Sequence, residues 1–442
     1  MTAGVRWTQA DDLLPSRLQV AALAEASVGA AALAGAELAA VRNGGVTPGV
    51  QVDSTAVAAA FASDRALRLN GQEQVSLSPL SKFCRCADGW VRMHCNYPHH
   101  QARLLDALEV RVAPQNARTA VGEAIATSSA EEVAERVTAF GGLAVVVRTP
   151  QSWAQHEQAS AIAGLPLLEL RKASNAASRP LEPAPRGSLL PAAGLRILDL
   201  SRVIAGPVAT RTLALLGADV LRIDRPDLPE LIAQHLDTGM GKLSALLDLR
   251  KPADLEVLEN LLSTADVVVT GYRPGALDRF GLDAEALLRR RPSLVVASLS
   301  GWGRIGPWGG RRAFDSLVQA ACGIAYIEAA PDGTPGAMPV QALDHATGYL
   351  LAAAVLRALA CRAIDGGGWI AELSLAQTAA WLLRRPIAAA AARDASTDPG
   401  QTAERQITLG ALRYALPPVV IDGGPRDWAR PVGPWGADAP EW

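Results

Sequence analysis

Between Leu195 and Gly303, short apolar runs alternate with amphipathic ones, and that alternation leaves few folds open. "LRILDLS" is an apolar run of strand length. "GPVATRTLALLGA" follows it as a helix, with Pro207 in the first turn and Gly217 at the end. "DVLRID", "DVVVTGY" and "SLVVASLSGWG" predict three more strands, with helices at "LEVLENLLSTA" and "DAEALLRRR". Strands separated by helices at this spacing are joined by right-handed crossovers and lie parallel. The expected class is therefore α/β: a Rossmann-like parallel sheet in a large domain, with ligands bound beyond the carboxyl ends of the strands.

A chain of 442 residues exceeds one ordinary core, so a second domain is expected. Residues 171–194, "RKASNAASRPLEPAPRGSLLPAAG", are rich in Pro, Ala and Ser without apolar period, and read as a linker. The expected division is 1–170, a smaller α+β domain; 171–194, a linker; 195–385, the Rossmann-like domain; and 386–442, a tail. In the first part Ala-rich helices are expected near 15–42 and 53–67, then a turn at Asp88-Gly89 feeding a strand. A helix follows at "PHHQARLLDALEV", another at "SSAEEVAERVTAFG" with Ser128 or Ser129 as N-cap, and a strand at "LAVVVRT".

A net charge of −2, with 42 basic residues dispersed among 44 acidic ones, offers nothing to a nucleic acid. "MTAGVRWTQADDLLPSR" lacks the apolar core of a secretory leader. The long apolar runs at Ala21–Val41 and after Asp344 are interrupted by Glu25, Glu37 and Arg357, so no membrane span is expected. Five cysteines argue for a reducing compartment, and the expected location is cytoplasmic.

Four places carry candidate chemistry. The helix start after "LDLSRVIAG" presents free N–H groups to an anion, or is simply a Gly-Pro helix start; it is not a G-x-G-x-x-G fingerprint. Arg225, Arg250, Arg273 and Arg279 follow strand ends, where planar guanidinium groups suit a polyanion such as coenzyme A, or are surface arginines. "CRCADGWVRMHCNYPHH" gathers Cys84, Cys86, His94, Cys95, His99 and His100. Its spacing fits no familiar zinc site, and strand alternation sends His94 and Cys95 to opposite faces, so a hairpin with half-buried thiols and no metal is expected. Finally, "MPVQALDHATGYLLAAAVLRALACR" places Asp344 and His345 at the start of an apolar helix. Asp344 is either the helix N-cap or a reactive carboxylate whose direction the cap pins and whose ionised form it favours.

Five blocks in order give these sites a common meaning: "LRILDLSRVIAGPVATRTLALLGADVLRIDRP", "GKLSALLDLRKP", "ADVVVTGYRPGALDRFGLDAEAL", "PSLVVASLSGWGRIGPWGGRRAFDSLVQAACGI" and the Asp344 helix. Residues 195–385 resemble the family III CoA-transferases, the group of formyl-CoA transferase, carnitine CoA-transferase and α-methylacyl-CoA racemase. "DGWVRMHCNYPHH", "VVVRTPQSWAQH" and "EQASAIAGLPLLELRKA" are similar to that family's small domain and return segment, which here precede the Rossmann part, as in a circular permutation.

The resemblance implies a family III CoA-transferase fold and an interlocked homodimer. It also implies transfer of coenzyme A from an acyl-CoA to a carboxylic acid through an anhydride and thioester on Asp344. It implies that Ile204, Ala205, Arg225, Leu247, Leu249, Arg250, Gly271, Tyr272 and Arg279 meet CoA, and that Phe314, Asp315 and His345 support Asp344. Two departures are visible. Phe314 stands where the racemase branch has a proton-carrying histidine, which disfavours an acyl-CoA racemase or isomerase. Residues 1–170 lack the family's glycine-rich flap, which keeps a CoA-binding protein without turnover as the alternative.

Overall fold

The computed structural model describes residues 4–10, 13–74, 77–183, 189–388 and 401–442. Its central sheet has seven strands: β1 (Leu168–Lys172), β2 (Arg196–Leu200), β3 (Asp219–Asp224), β4 (Lys242–Leu246), β5 (Val267–Thr270), β6 (Val295–Ser300) and β7 (Trp369–Ser374). The order is β4-β3-β2-β5-β6-β7-β1, with β2 to β7 parallel and β1 antiparallel on the edge. Ile197, Leu198 and Val267–Val269 are fully buried, because helices cover both faces. Successive connections leave β2 toward opposite edges. The loops after β2 and β5 therefore part, and a crevice opens at their carboxyl ends.

Four helices position the site: α1 (Val20–Asn43), packed against α4, then α2 (Ala205–Leu215), α3 (Asp315–Ala321) and α4 (Ala342–Asp365). α4 packs on both α1 and α2. The approach to α2 is close because Gly348 has no side chain; a Cβ there would lie 2.5 Å from the Ala205 carbonyl oxygen. By length and composition α1 and α4 could each cross a membrane, but their most apolar windows are mostly buried, largely against each other. That burial is what stabilises two helices so rich in alanine.

Residues before β1 also build a small lobe. Strands Phe83–Arg85, Trp90–Met93 and Ala144–Val146 form an antiparallel sheet. Helices Pro98–Ala107, Ala117–Ile125 and Ala130–Ala139 close a separate apolar core over it. Ser129 and Glu132 form a reciprocal capping box at the third helix.

The segment expected to be a linker is only partly one. Arg171 and Lys172 belong to β1, and residues 173–179 are laid against the large domain. Ala173 donates to the Gly368 carbonyl, Ala176 accepts from Gly367, and Arg179 pairs with buried Asp266 at 2.8 Å. The physical reason is the sheet edge: β7 needs a partner for its backbone, and β1 supplies it. Residues 184–188 of the expected linker, and 389–400 of the expected tail, lie outside the described residues. Beyond them, a hairpin at Thr402–Ala415 pairs with Arg68–Leu69, and Val420–Ile421 pairs with Val50–Gln51. The indole N–H groups of Trp428, Trp435 and Trp442 then anchor to the Arg211 carbonyl, the Asp224 carboxylate and the Leu261 carbonyl.

Candidate active site

The crevice holds a cavity of about 370 Å³. Ile204 and Ala205 enter it from the loop that opens α2, and Arg225 from the end of β3. Leu247, Leu249 and Arg250 follow β4; Gly271 and Tyr272 follow β5; Arg279 sits in a 3-10 turn at Asp278–Phe280. Phe314 and Asp344 line the same cavity. The candidates from Ile204 to Arg279 converge because each lies in a loop that follows a strand of one parallel sheet, and the helix starts of α3 and α4 add Phe314 and Asp344 to the same wall. Of the sequence-derived candidates, Asp315 and His345 are not in the wall. His345 is buried with its ring 5.2 Å from that of Phe61, on the far side of α4.

Asp344 is not the helix N-cap. Gln341 occupies that position without a side-chain hydrogen bond, and Asp344 is the third residue of α4. The capping acceptor comes from elsewhere: Asp315 Oδ2 accepts the backbone N–H of Asp344 at 3.0 Å. Asp315 is itself held by the Gln319 amide, whose Oε1 accepts from Met338 N–H. The Asp344 carboxylate has no hydrogen-bond partner among the described residues and is 7% exposed. Burial, and then the neighbouring charge of Asp315, push its carboxyl well above the ordinary aspartate range. Burial also raises Asp315, to about 6, against the hydrogen bonds it accepts from Gln319 and from the Asp344 and Leu343 backbone. The expectation that a cap keeps Asp344 ionised is thus reversed: two carboxylates share a site, and among the described residues neither is in a salt bridge, although the Arg92 charge favours ionised Asp315.

A second buried cluster lies across the cavity. Glu230 accepts from Arg222 at 2.9 Å, from Arg202, from the Tyr97 hydroxyl and from the Val203 backbone N–H at 3.2 Å. Burial opposes its ionisation, but Arg222, Arg202 and Tyr97 overcome that and hold its carboxyl at about 2. Val203 has φ +70°, a strained conformation for a β-branched residue, in the wall of the cavity. Glu230 holds that loop in place and ties it to the small lobe through Tyr97.

Sequence reasoning missed Tyr97, His99 and His100, which form the small-lobe wall, together with Arg202 and Arg312. The signal was the run considered as a metal site. The thiols of Cys84, Cys86 and Cys95 turn into the small core. His94 turns the other way and stacks on Phe314, with ring centroids 3.7 Å apart and planes within 10°. Among the described residues no three His, Cys, Asp or Glu side chains converge as metal ligands. Arg225 is paired with Asp227, and Arg250 bridges Asp227 at 3.1 Å and Asp248 at 2.7 Å.

Residues 192–415 match the family model described as CoA-transferase family III. An acetyl-coenzyme A transferase of Hypoxylon pulicicidum is 35% identical over 207 residues, covering 46% of this chain and 35% of that protein. A Mycobacterium tuberculosis protein named as a probable fatty acyl-CoA transferase is 32% identical over 265 residues, covering 54% of this chain and 67% of its own. A crystal structure from the same organism covers 45% of this chain and 56% of its own at 34% identity, with a TM-score of 0.43. The chain thus spans from about a third to two thirds of these relatives' lengths, and residues 1–191, which carry Tyr97, His99 and His100, precede the matched span. On the family match and its coverage of the Mycobacterium tuberculosis relative, the chain belongs to CoA-transferase family III.

Proposed function

We propose that the protein transfers coenzyme A between an acyl-CoA and a carboxylic acid, with Asp344 as the nucleophile. The observation that carries this reading is a buried, unpaired carboxylate opening into the same cavity as the strand-end loops. The thioester's CoA moiety lies along Ile204, Ala205 and the loops after β3, β4 and β5. Its anionic groups meet Arg225, Arg250 and Arg279.

Asp344 loses its proton to solvent at the cavity mouth and attacks the thioester carbonyl. The C–S bond breaks, leaving an acyl–aspartyl anhydride and CoA thiolate. The thiolate attacks the aspartyl carbonyl of the anhydride, which releases the first carboxylate and forms an aspartyl-CoA thioester. The acceptor carboxylate attacks that thioester and displaces the thiolate again. The thiolate then attacks the acceptor's carbonyl, giving the new acyl-CoA and restoring Asp344. Each step uses one fixed carboxylate in place of a direct exchange between two mobile ones. An ion formed where solvation is poor reacts more readily, which turns the raised pKa of Asp344 into an advantage once the proton has gone. Phe314 beside Asp344 carries no exchangeable proton, which weighs against racemisation. A homodimer is part of the same reading and is measurable by light scattering.

The test is incubation with a panel of acyl-CoAs, quenching with hydroxylamine or borohydride, and peptide mapping, with Asp344→Ala as control. Modification at Asp344 supports the covalent route and identifies a donor. No modification, with CoA still raising the unfolding temperature, replaces the reading by CoA binding without turnover. Absence of both removes it.

A further inference from the structure

The chain beyond Ala415 lies outside the family-matched span, and three indole N–H groups fasten it to the large domain. Two of them take backbone carbonyls: Trp428 that of Arg211, and Trp442 that of Leu261 on the helix Pro252–Thr264. Arg211 and Leu261 both lie outside the cavity wall. Trp435 is different. Its Nε1 donates to Asp224 Oδ2 at 2.9 Å, and Asp224 is a wall residue of the cavity at the end of β3.

That bond completes the buried surroundings of Asp224, which shares Arg222 and Arg202 with Glu230. Arg222 reaches both carboxylate oxygens, Oδ2 at 2.7 Å and Oδ1 at 3.1 Å, and Arg202 is 3.9 Å from Oδ1. The indole is a neutral donor, so it orients the carboxylate without adding charge to the cluster. The Asp224 backbone carbonyl accepts from Leu247 N–H at 3.0 Å, which joins the loops after β3 and β4. The turn after Trp435 braces β4 as well. Gly436, at φ +70°, lies so close to Leu246 that a Cβ would stand 2.4 Å from its Cγ, and its N–H donates to Ser244 Oγ at 2.9 Å. Asp438 then pairs with the Ser244 backbone, accepting from its N–H at 2.7 Å and donating to its carbonyl at 2.9 Å. β4 is an edge of the sheet, and Leu247, Leu249 and Arg250 of the cavity wall follow it directly. Residues 435–438 therefore hold the ends of two strands whose loops form the Arg225–Arg250 wall.

We propose that Trp435 is a positioning residue for coenzyme A: it fixes Asp224 and, with Gly436 and Asp438, the end of β4, and so holds the loops after β3 and β4 in the form that receives the ligand. The tail thereby sets affinity at that end of the cavity by preorganising its wall, and takes no part in the chemistry at Asp344. A tail with a structural role alone would behave otherwise, because each indole anchor would then contribute to folding and none to binding. The inference rests on reading the cavity as a CoA site and is tested apart from the transfer reaction.

Calorimetry with CoA on the full chain compares the wild type with Trp435→Phe and Trp442→Phe. Phenylalanine keeps a ring in each place and removes the N–H. Trp435→Phe should weaken CoA binding about tenfold, the worth of one hydrogen bond to a charged group. KM for the acyl-CoA should rise by a similar factor, with kcat at saturation within about twofold of the wild type. Trp442→Phe should lower the unfolding temperature and leave CoA affinity within about twofold, because its anchor is remote from the wall. Ser244→Ala removes only the acceptor of the Gly436 N–H and should weaken CoA about threefold; it decides the matter if Trp435→Phe does not fold. Unchanged affinity in Trp435→Phe, an equal loss in Trp442→Phe, or a fall in kcat at unchanged KM overturns the positioning role. CoA binding that depends on Trp435 without an Asp344 adduct removes only the transfer reaction. A wild type that binds no CoA removes the CoA site and this inference with it.

Discussion

Two buried clusters of charge flank one cavity, and they are built on opposite rules. Around Glu230, the carboxylates of Glu230 and Asp224 are matched by Arg222 and Arg202, a phenol closes the remaining lone pair, and the charged state is favoured. Around Asp344, two carboxylates meet without a salt bridge to either among the described residues, and the charged state is disfavoured. The first arrangement stabilises: it fixes a strained loop and joins the small lobe to the sheet. The second costs stability and leaves a reactive group unsatisfied, which is where chemistry is expected. Burial is the largest influence on both carboxyls, so burial alone does not mark a site; the absence of a compensating partner does.

The sharpest way to break this contrast is Asp344→Asn. Turnover should fall by about a thousandfold or more, because the nucleophile is gone. The same change should raise the unfolding temperature at pH 8. A carboxyl raised in the folded state contributes stability that is full below its unfolded value of about 3.9 and is lost as pH rises through the folded value. The amide removes that loss, so the gain should appear at pH 8 and vanish near pH 4. A variant that is less stable at both pH values would mean that the Asp344 carboxylate is compensated after all.

Glu230→Gln should act in the other direction, costing about 3–5 kcal/mol at neutral pH by leaving Arg222 and Arg202 buried with half their counter-charge. A depressed carboxyl contributes stability above its unfolded value of about 4.3 that is lost as pH falls through about 2. Denaturant titrations should therefore show the variant's deficit shrinking below pH 4. A deficit that does not change with pH would point to shape, not charge.

Asp315→Asn sharpens the same comparison within the reactive pair. The amide oxygen can still accept the Asp344 N–H, but the like charge is removed. Activity requires ionised Asp344 and so rises with pH; its acid limb should move to lower pH. An unmoved limb would leave burial as the whole cause. The smallest effect is expected from Phe314→Leu, which removes the His94 stack at a cost of about 1 kcal/mol in chemical denaturation, with the Asp344 titration unchanged.

Much of the fold was legible in the chain. The apolar runs at Leu195–Leu200 and Val267–Val269, and the helix starts and stops between them, set a parallel sheet because strand and helix periods are local properties. Asp344 was locatable at the head of α4 for the same reason, and the strand-end candidates from Ile204 to Arg279 fell in one cavity because a parallel sheet sends all its carboxyl ends to one side. The linker was misjudged at Arg171 and Lys172 because an edge strand takes its identity from the neighbour it pairs with, and β7 lies some two hundred residues away.

Tertiary structure alone decided the chemistry of these residues. His345 was adjacent to Asp344 in sequence yet turns to Phe61, whereas His100, more than two hundred residues earlier, faces the cavity. The protonation of Asp344 depends on Asp315 and on exclusion of water, neither of which a helix-cap pattern contains. Secondary structure follows from hydrogen bonds between near neighbours in the chain. A pKa or a binding wall follows from whatever the fold brings within a few ångströms, and in this molecule those atoms come from both lobes.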